Sequence, residues 1–127
     1  MIDMNAAVES STHFFVTGGF TMKLDECPVR TTVDVIDGKW KPMIINELKR
    51  SPLRFGRLLC VLPDASRKVV TEQLRELEQE QIVARRFLSG ERLDGVEYSL
   101  TKYGRTLVPV LEAMAKWGTN HKRRVSF

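Results

Sequence analysis

Residues 54–78 read RFGRLLCVLPDASRKVVTEQLRELE, and this stretch decides the fold. A first run of apolar residues at helical spacing extends over residues 54–62 and ends where Pro63-Asp64 breaks the chain. A second run begins after Ser66 and extends to Glu78. The stretch therefore predicts two helices joined by a tight turn.

The second helix has a clear start and two different faces. Ser66 suits its N-cap, because the hydroxyl can accept a hydrogen bond from a backbone N–H two or three residues later. Apolar residues then recur at the spacing of one helix face: Val70, Leu74 and Leu77. The remaining faces are polar and rich in side chains that donate hydrogen bonds.

Extended segments lie on both sides of the quoted stretch. A short one at Leu53 precedes it, and two strands are predicted after it, over residues 82–88 and 96–100. Their connection, residues 89–95, ends in Asp94-Gly95, a pair typical of a hairpin turn. This hairpin would be the wing of a winged helix-turn-helix.

Helices are predicted on both flanks. Residues 28–38 and 39–49 show helical spacing, and Thr101 can cap a long C-terminal helix that Pro109 should kink. That helix carries an apolar stripe: Leu107, Val110, Leu111, Met114 and Trp117. The expected fold is mainly α with a small β-hairpin (α+β), a winged helix-turn-helix of residues 53–100 with flanking N- and C-terminal helices.

Length and composition indicate one folded domain. A chain of 127 residues with 43% hydrophobic residues can bury one core. Residues 1–26 show no sustained period and are expected to form a flexible N-terminal arm, so the domain would be residues 27–127. With no candidate membrane span or signal peptide in the sequence, we expect a cytoplasmic protein with no membrane partner.

Charge and cysteine content narrow the function classes. The net charge is +4, and residues 101–127 carry six basic residues against one acidic residue, a balance compatible with a polyanionic partner. The two cysteines are too few for a disulfide framework or the usual protein-only zinc site, so no metal and no cofactor are expected.

The polar side of the second helix predicts contact with double-stranded DNA. In a winged helix-turn-helix, the start of this helix approaches base edges and its flanks contact phosphates. Arg67 is the first choice for a base reader, because its planar fork pairs bidentately with guanine, and Thr71 can touch a thymine methyl. The candidates on this helix are Ser66, Arg67, Lys68, Thr71, Gln73 and Arg75.

The same side chains also fit a solvated helix face, and the predicted hairpin beside them favours the DNA interpretation. Arg75 has an additional alternative, a local ion pair with Glu72, Glu76 or Glu78. Outside the helix, Arg92 at the wing tip can enter a minor groove or remain solvated.

Lys39 and Arg54 are candidates for phosphate contacts from neighbouring elements, which would make affinity fall steeply with salt. Trp40 is expected in the core rather than as a stacking platform.

Several short segments together resemble the HxlR family of bacterial and archaeal regulators, relatives of the MarR-type winged-helix proteins. The resemblance covers about residues 27–117 and rests on these segments: Cys27-Pro28-Val29, Ile36 with Gly38-Lys39-Trp40, Arg54-Phe55, Leu62-Pro63, Leu74-Arg75-Glu76-Leu77-Glu78, and Val96-Glu97-Tyr98-Ser99-Leu100-Thr101 through Gly104. It implies a homodimer built on the terminal helices that presents two recognition helices to a pseudo-palindromic operator. The wing sequence 91–95 and the long arm before Cys27 depart from the family pattern.

Cys27 is the candidate sensor. It precedes Pro28 at a helix start, where the dipole favours thiolate over thiol, and Arg30 adds positive charge. Some members of the resembling family use a cysteine here to detect oxidants or electrophiles, so a redox, electrophile or small-molecule effector is expected. The alternative is an inert cysteine at a subunit contact. Cys60 is expected in the core.

Other classes of protein fit less well. An enzyme is disfavoured because the two histidines, His13 and His121, lie in the arm and the tail, and no Gly-rich phosphate loop is present. The stronger rival is a winged helix that contacts another protein without binding specific DNA, since fold does not dictate function. The sequence predicts a dimeric DNA-binding repressor.

Overall fold

The structure is a computed structural model that describes residues 14–17, 20–23, 27–89 and 95–125. The chain forms two compact units, residues 1–37 and residues 38–127. Within the described ranges, no helix combines the length and the apolar character needed to cross a membrane.

The first unit contains a short hairpin and a helix. Strands β1 (Phe14–Thr17) and β2 (Phe20–Lys23) pair antiparallel, with Phe14 opposite Lys23. Both strands lie inside the segment that the sequence assigns to an N-terminal arm, and the flexibility of that arm stays a prediction. Helix α1 (Pro28–Ile36) begins with a proline, because the first residue of a helix has no intrahelical partner for its N–H.

The second unit begins with three helices: α2 (Lys41–Leu48), α3 (Phe55–Val61) and α4 (Arg67–Gln79). The predicted break between α3 and α4 is confirmed by Asp64, whose φ of 64° lies in the left-handed region that aspartate tolerates in turns. The predicted cap is confirmed as well, because the Val69 N–H donates to Ser66 Oγ at 3.1 Å.

A three-stranded antiparallel sheet completes the winged module. Its strands β3 (Leu53–Arg54), β4 (Val83–Phe87) and β5 (Val96–Leu100) lie in the order β3-β5-β4. The β4–β5 hairpin pairs from Val83 opposite Leu100 to Phe87 opposite Val96. Residues 90–94 of the predicted wing turn lie outside the described residues.

The core of the second unit is apolar and comes from α2, α3 and α4 together. Its most deeply buried side chains are Ile44, Ile45, Leu48, Leu58, Leu62, Val70, Leu74 and Leu77. Each such side chain contributes about 1.5–3 kcal/mol to folding by leaving water. Trp40 is buried, as predicted. The apolar stripe of α4 therefore faces the core and leaves its polar side outward.

The C-terminal helix begins later than the sequence predicted. Thr101 Oγ1 accepts from the Gly104 N–H at 2.8 Å and so caps a 3₁₀ turn, Gly104–Leu107, before helix α5 (Val108–Val125). The predicted kink at Pro109 is therefore wrong. Pro109 is the second residue of α5, where a missing N–H removes no intrahelical bond.

The apolar stripe of α5 is open to solvent in a single chain. Val110, Met114 and Trp117 are all exposed, Trp117 by 68%. These elements match the predicted mainly α fold with a small β-hairpin, a winged helix-turn-helix followed by a C-terminal helix.

Candidate nucleic-acid interface

The start of α4 presents its polar residues to solvent. Ser66, Arg67 and Lys68 are exposed and Thr71 is half-buried. Because a helix turns about 100° per residue, Arg67, Lys68, Thr71 and Arg75 fall on one side of α4. The Thr71 hydroxyl donates to the Arg67 carbonyl at 2.8 Å, which leaves its methyl group and its lone pairs for outside contact. This side of α4 can meet both base edges and phosphates.

Arg67 also borders a cleft between α3, α4 and β5. Its guanidinium carbon lies 5.0 Å from the centroid of the Phe55 ring, a cation–π contact that limits its rotamers. The cleft has a volume of about 610 Å³ and is lined by Arg54, Arg57 and Arg67, which together define the arginine cleft. Phe55 and Tyr98 are also among its lining residues.

Three guanidinium groups give the arginine cleft a positive charge. Among the described residues, neither aspartate nor glutamate lines it, and none of its three arginines forms an ion pair there. Two arginines of β4 behave differently: Arg85 Nε lies 3.4 Å from Glu78, and Arg86 Nη2 lies 2.6 Å from Glu97. A cationic cleft of this kind suits the phosphate groups of a nucleic-acid backbone.

Arg57 is a candidate that the sequence reasoning missed. It lies in the first turn of α3, three residues after Arg54, and both line the arginine cleft. Arg54 is the N-cap residue of α3 and Arg57 the third residue of the helix, so their closeness in sequence was a signal already present. Gly56 between them adds no side chain to the cleft.

Tyr98 forms part of the cleft wall as a neutral phenol. Its ring centroid lies 6.4 Å from that of Phe55, with the planes tilted by 52°. Burial raises the pKa of Tyr98, and the nearby Glu78 charge raises it further, while Arg85 and Arg75 partly oppose the shift. Tyr98 therefore keeps its proton at neutral pH and adds no negative charge to the cleft.

Gln73 has a role inside the fold. Its Oε1 accepts a hydrogen bond from the Trp40 backbone N–H at 2.8 Å. The Gln73 acceptor therefore already binds the backbone of its own chain, while its amide N–H groups remain donors, and the predicted contact of Gln73 with DNA stays a prediction. Arg75 remains exposed, and within the described residues no ion pair joins it to Glu72, Glu76 or Glu78.

Two lysines near the start of α2 have different environments. Lys39 is exposed, and its Nζ lies 5.1 Å from the centroid of the Trp40 ring, so it remains available for a phosphate contact. Lys41 is buried and pairs with Glu76 of α4 at 2.5 Å. Arg92 of the wing lies outside the described residues, and its predicted minor-groove contact stays a prediction.

The two cysteines are both exposed free thiols. Cys27 is the N-cap residue of α1, and the backbone N–H groups of Arg30 and Val29 lower the pKa of its thiol, with a smaller contribution from the Arg30 charge. The Cys27 side chain makes no capping hydrogen bond to the helix, so these N–H groups stabilise the thiolate by their proximity and charge. The lowered pKa agrees with the expectation that the helix start favours thiolate.

The expectation that Cys60 lies in the core is wrong. Cys60 is exposed and lines the arginine cleft. It lies two residues from the buried Leu58, about 200° around α3, and therefore on the opposite side of that helix.

Comparison with known proteins identifies close similarity to one family. A family model described as HxlR-like helix-turn-helix matches residues 35–126. The HTH-type transcriptional regulator YdeP of Bacillus subtilis is 40% identical over 99 residues, which cover 78% of this chain and 77% of YdeP.

Solved structures give the same result. The redox regulator HypR in its reduced form is 40% identical, with a TM-score of 0.70 over 77% of this chain and 95% of HypR. The reduced form of the transcriptional regulator YodB from B. subtilis is 34% identical, with a TM-score of 0.65 over 72% of this chain and 89% of YodB. YodB has also been solved diamide-treated and quinone-bound.

Proposed function

Because this chain belongs to the HxlR-like helix-turn-helix family of transcriptional regulators, we propose that it is a dimeric repressor that binds a specific DNA operator and responds to oxidants or electrophiles. The observation that carries the proposal is the exposed start of α4 beside the arginine cleft, whose three guanidiniums have no acidic partner in the described residues. The phosphates of an operator would supply counter-charge for these guanidiniums.

The geometry supports different roles for different basic residues, with one contacting base edges and the others contacting phosphates. Arg67 lies at the first turn of α4, where winged-helix proteins approach base edges, and its contact with Phe55 restricts the side chain before DNA arrives. Arg54 and Arg57 lie on the α3 side of the cleft, and Lys39 lies exposed before α2. These three suit phosphate contacts, which position the protein without reading sequence.

A second copy of the chain accounts for the exposed stripe of α5. Val110, Met114 and Trp117 present apolar side chains to solvent in the single chain, and exposed apolar side chains along one helix face are typical of a subunit interface. A twofold dimer would present two α4 helices to half-sites about 34–36 Å apart on DNA, which corresponds to a pseudo-palindromic operator.

Cys27 is the proposed sensor residue. Its exposed thiol has a lowered pKa, and thiolate is the form that attacks oxidants and electrophiles. With diamide, two Cys27 thiols of a dimer would form one disulfide, and their two electrons and two protons would reduce diamide to the hydrazine. With a quinone, the thiolate would add to a ring carbon and form a C–S bond. The similarity to the redox regulator HypR and to YodB, which has been solved diamide-treated and quinone-bound, supports a redox or electrophile response for this chain.

The test is a titration of labelled DNA from the promoter region of the chain's own gene against a scrambled duplex, over a salt series. We expect preferred binding to the promoter DNA and a steep fall in affinity with salt. Lys39→Ala should weaken binding to both duplexes alike. Equal binding to both duplexes by the wild type would contradict the proposal and favour a winged helix that contacts proteins.

The sensor part is tested separately with the wild type and Cys27→Ser, before and after diamide or quinone. We expect operator affinity to change only in the wild type. Identical affinities in all four samples would remove the proposed redox response and leave operator binding intact.

A further inference from the structure

The edge of α4 opposite the arginine cleft contacts the first residue of α2 and the residue before it. Gln73 Oε1 accepts from the Trp40 N–H at 2.8 Å, and Glu76 Oε1 lies 2.5 Å from Lys41 Nζ. Gln73 and Glu76 are three residues apart and therefore neighbours on one side of α4. Two directional polar contacts thus join one helix edge to two consecutive residues of the chain.

The ion pair is unequally buried. The Lys41 side chain is 6% exposed, whereas the Glu76 side chain is 56% exposed. Among the described residues, Lys41 is the charged residue that is buried with the apolar core. A buried ion pair usually adds little stability compared with apolar side chains of similar size, and here the lysine charge loses its hydration. Stability alone therefore does not account for a lysine at this position.

Gly38 shows that the contact is closely fitted. A Cβ at residue 38 would lie 2.9 Å from Gln73 Oε1 and 3.2 Å from Lys41 Cδ. A larger residue would displace the acceptor that binds the Trp40 N–H. This N–H precedes α2 and would otherwise need another partner.

The apolar contacts of α4 alone define its position less sharply. Val70, Leu74 and Leu77 bury the helix, but dispersion contacts between aliphatic side chains have little directionality. A hydrogen bond, by contrast, weakens steeply with distance and angle, and a charged N–H donor this close to a carboxylate oxygen shares that dependence. The two polar contacts therefore restrict the position of α4 more directionally than the apolar contacts do.

We propose that Lys41, Gln73 and Glu76 form a positioning clamp that holds α4 in the orientation needed to discriminate between DNA sequences. The clamp residues do not contact DNA; they act through Arg67 and its neighbours on the opposite edge. This inference rests on the proposed operator binding. It predicts that loss of the clamp reduces discrimination between sequences while general affinity for DNA is retained.

The decisive variant is Lys41→Met/Glu76→Leu, which replaces the ion pair with apolar side chains and leaves the net charge unchanged. We expect its urea midpoint to equal or exceed that of the wild type. Its preference for operator over scrambled DNA should fall about tenfold, the effect of one lost base contact. Its affinity for scrambled DNA and its salt dependence should stay the same.

The matched control is Lys49→Met/Glu112→Leu. It removes another ion pair of the same unit, in which Lys49 Nζ lies 3.5 Å from Glu112 Oε2, away from α4. This control should keep the wild-type preference. Should the first variant fail to fold, Gln73→Leu tests the clamp through its other contact, with the same expected loss of preference.

Two results would overturn the inference. One is a folded clamp variant whose preference stays within twofold of the wild type. The other is an equal loss of affinity for operator and scrambled DNA, which would indicate a general effect on the surface. If the wild-type chain showed no preference for operator over scrambled DNA, the proposed function itself would be contradicted. The proposed role of the clamp in discrimination would then be contradicted as well.

Discussion

The two edges of α4 use charge in opposite ways. On one edge, Arg54, Arg57 and Arg67 line an open cleft and form no ion pair within the described residues. On the other edge, Lys41 is buried and paired with Glu76. The guanidiniums of the cleft are available to bind an anionic ligand such as a DNA phosphate, whereas the paired Lys41 and Glu76 hold the helix in place. The contrast separates the surface that reads DNA from the contacts that position it.

The largest expected effect concerns the apolar stripe that separates the two edges. Leu74→Ala should lower the free energy of unfolding by about 2–5 kcal/mol, because a fully buried leucine is replaced and a cavity remains. Urea denaturation measures this loss. Met43→Ala, at an exposed apolar position of α2, serves as the control and should change stability little. Equal losses in the two variants would contradict the described core.

The next effect tests the open edge. Arg57→Ala and Arg54→Ala should each weaken binding to all DNA sequences and lower the slope of log affinity against log salt by about 1, as expected for one lost phosphate contact. Arg86→Ala is a useful comparison, because Arg86 is already paired with Glu97. If Arg57→Ala leaves the slope unchanged, the cleft does not bind the DNA backbone.

A smaller effect uses the thiol that lies in the cleft. Operator DNA should slow alkylation of Cys60 in proportion to the fraction of protein bound, since Cys60 lines the arginine cleft. Peptide mass spectrometry resolves the modification of Cys60 from that of Cys27. Full reactivity of Cys60 in the saturated complex would place the DNA elsewhere on the protein.

The smallest effect concerns the chemistry of Cys27. Because its pKa is lowered, its thiolate fraction at neutral pH exceeds that of an ordinary cysteine. The rate of iodoacetamide alkylation should therefore reach half its plateau at a pH below the ordinary cysteine value. A midpoint at or above that value would contradict the effect of the Arg30 and Val29 N–H groups.

The sequence predicted local features of the fold well. Helical spacing and turn residues located the helices of the winged module, the Ser66 cap, the hairpin strands and the burial of Trp40. These features depend on residues a few positions apart, so a single sequence contains the necessary signal.

Features that depend on packing between elements were missed. Lys41 and Glu76 are 35 positions apart, and nothing in either local pattern pairs them. Gln73 looked like one more polar residue of an exposed face, and Cys60 looked like a core residue of a short apolar helix. In each case the neighbouring element decides the environment, and periodicity within one helix does not report it.

The central claim is that Arg67 reads the operator from the open edge of α4, and binding-site selection tests it most directly. Randomised duplexes are selected with the wild type and with Arg67→Ala, and the preference at each base-pair position is compared. The account predicts that Arg67→Ala loses about 1–3 kcal/mol of discrimination at one position in each half-site and keeps the rest of the profile. An unchanged profile, or a uniform loss at all positions, would contradict it.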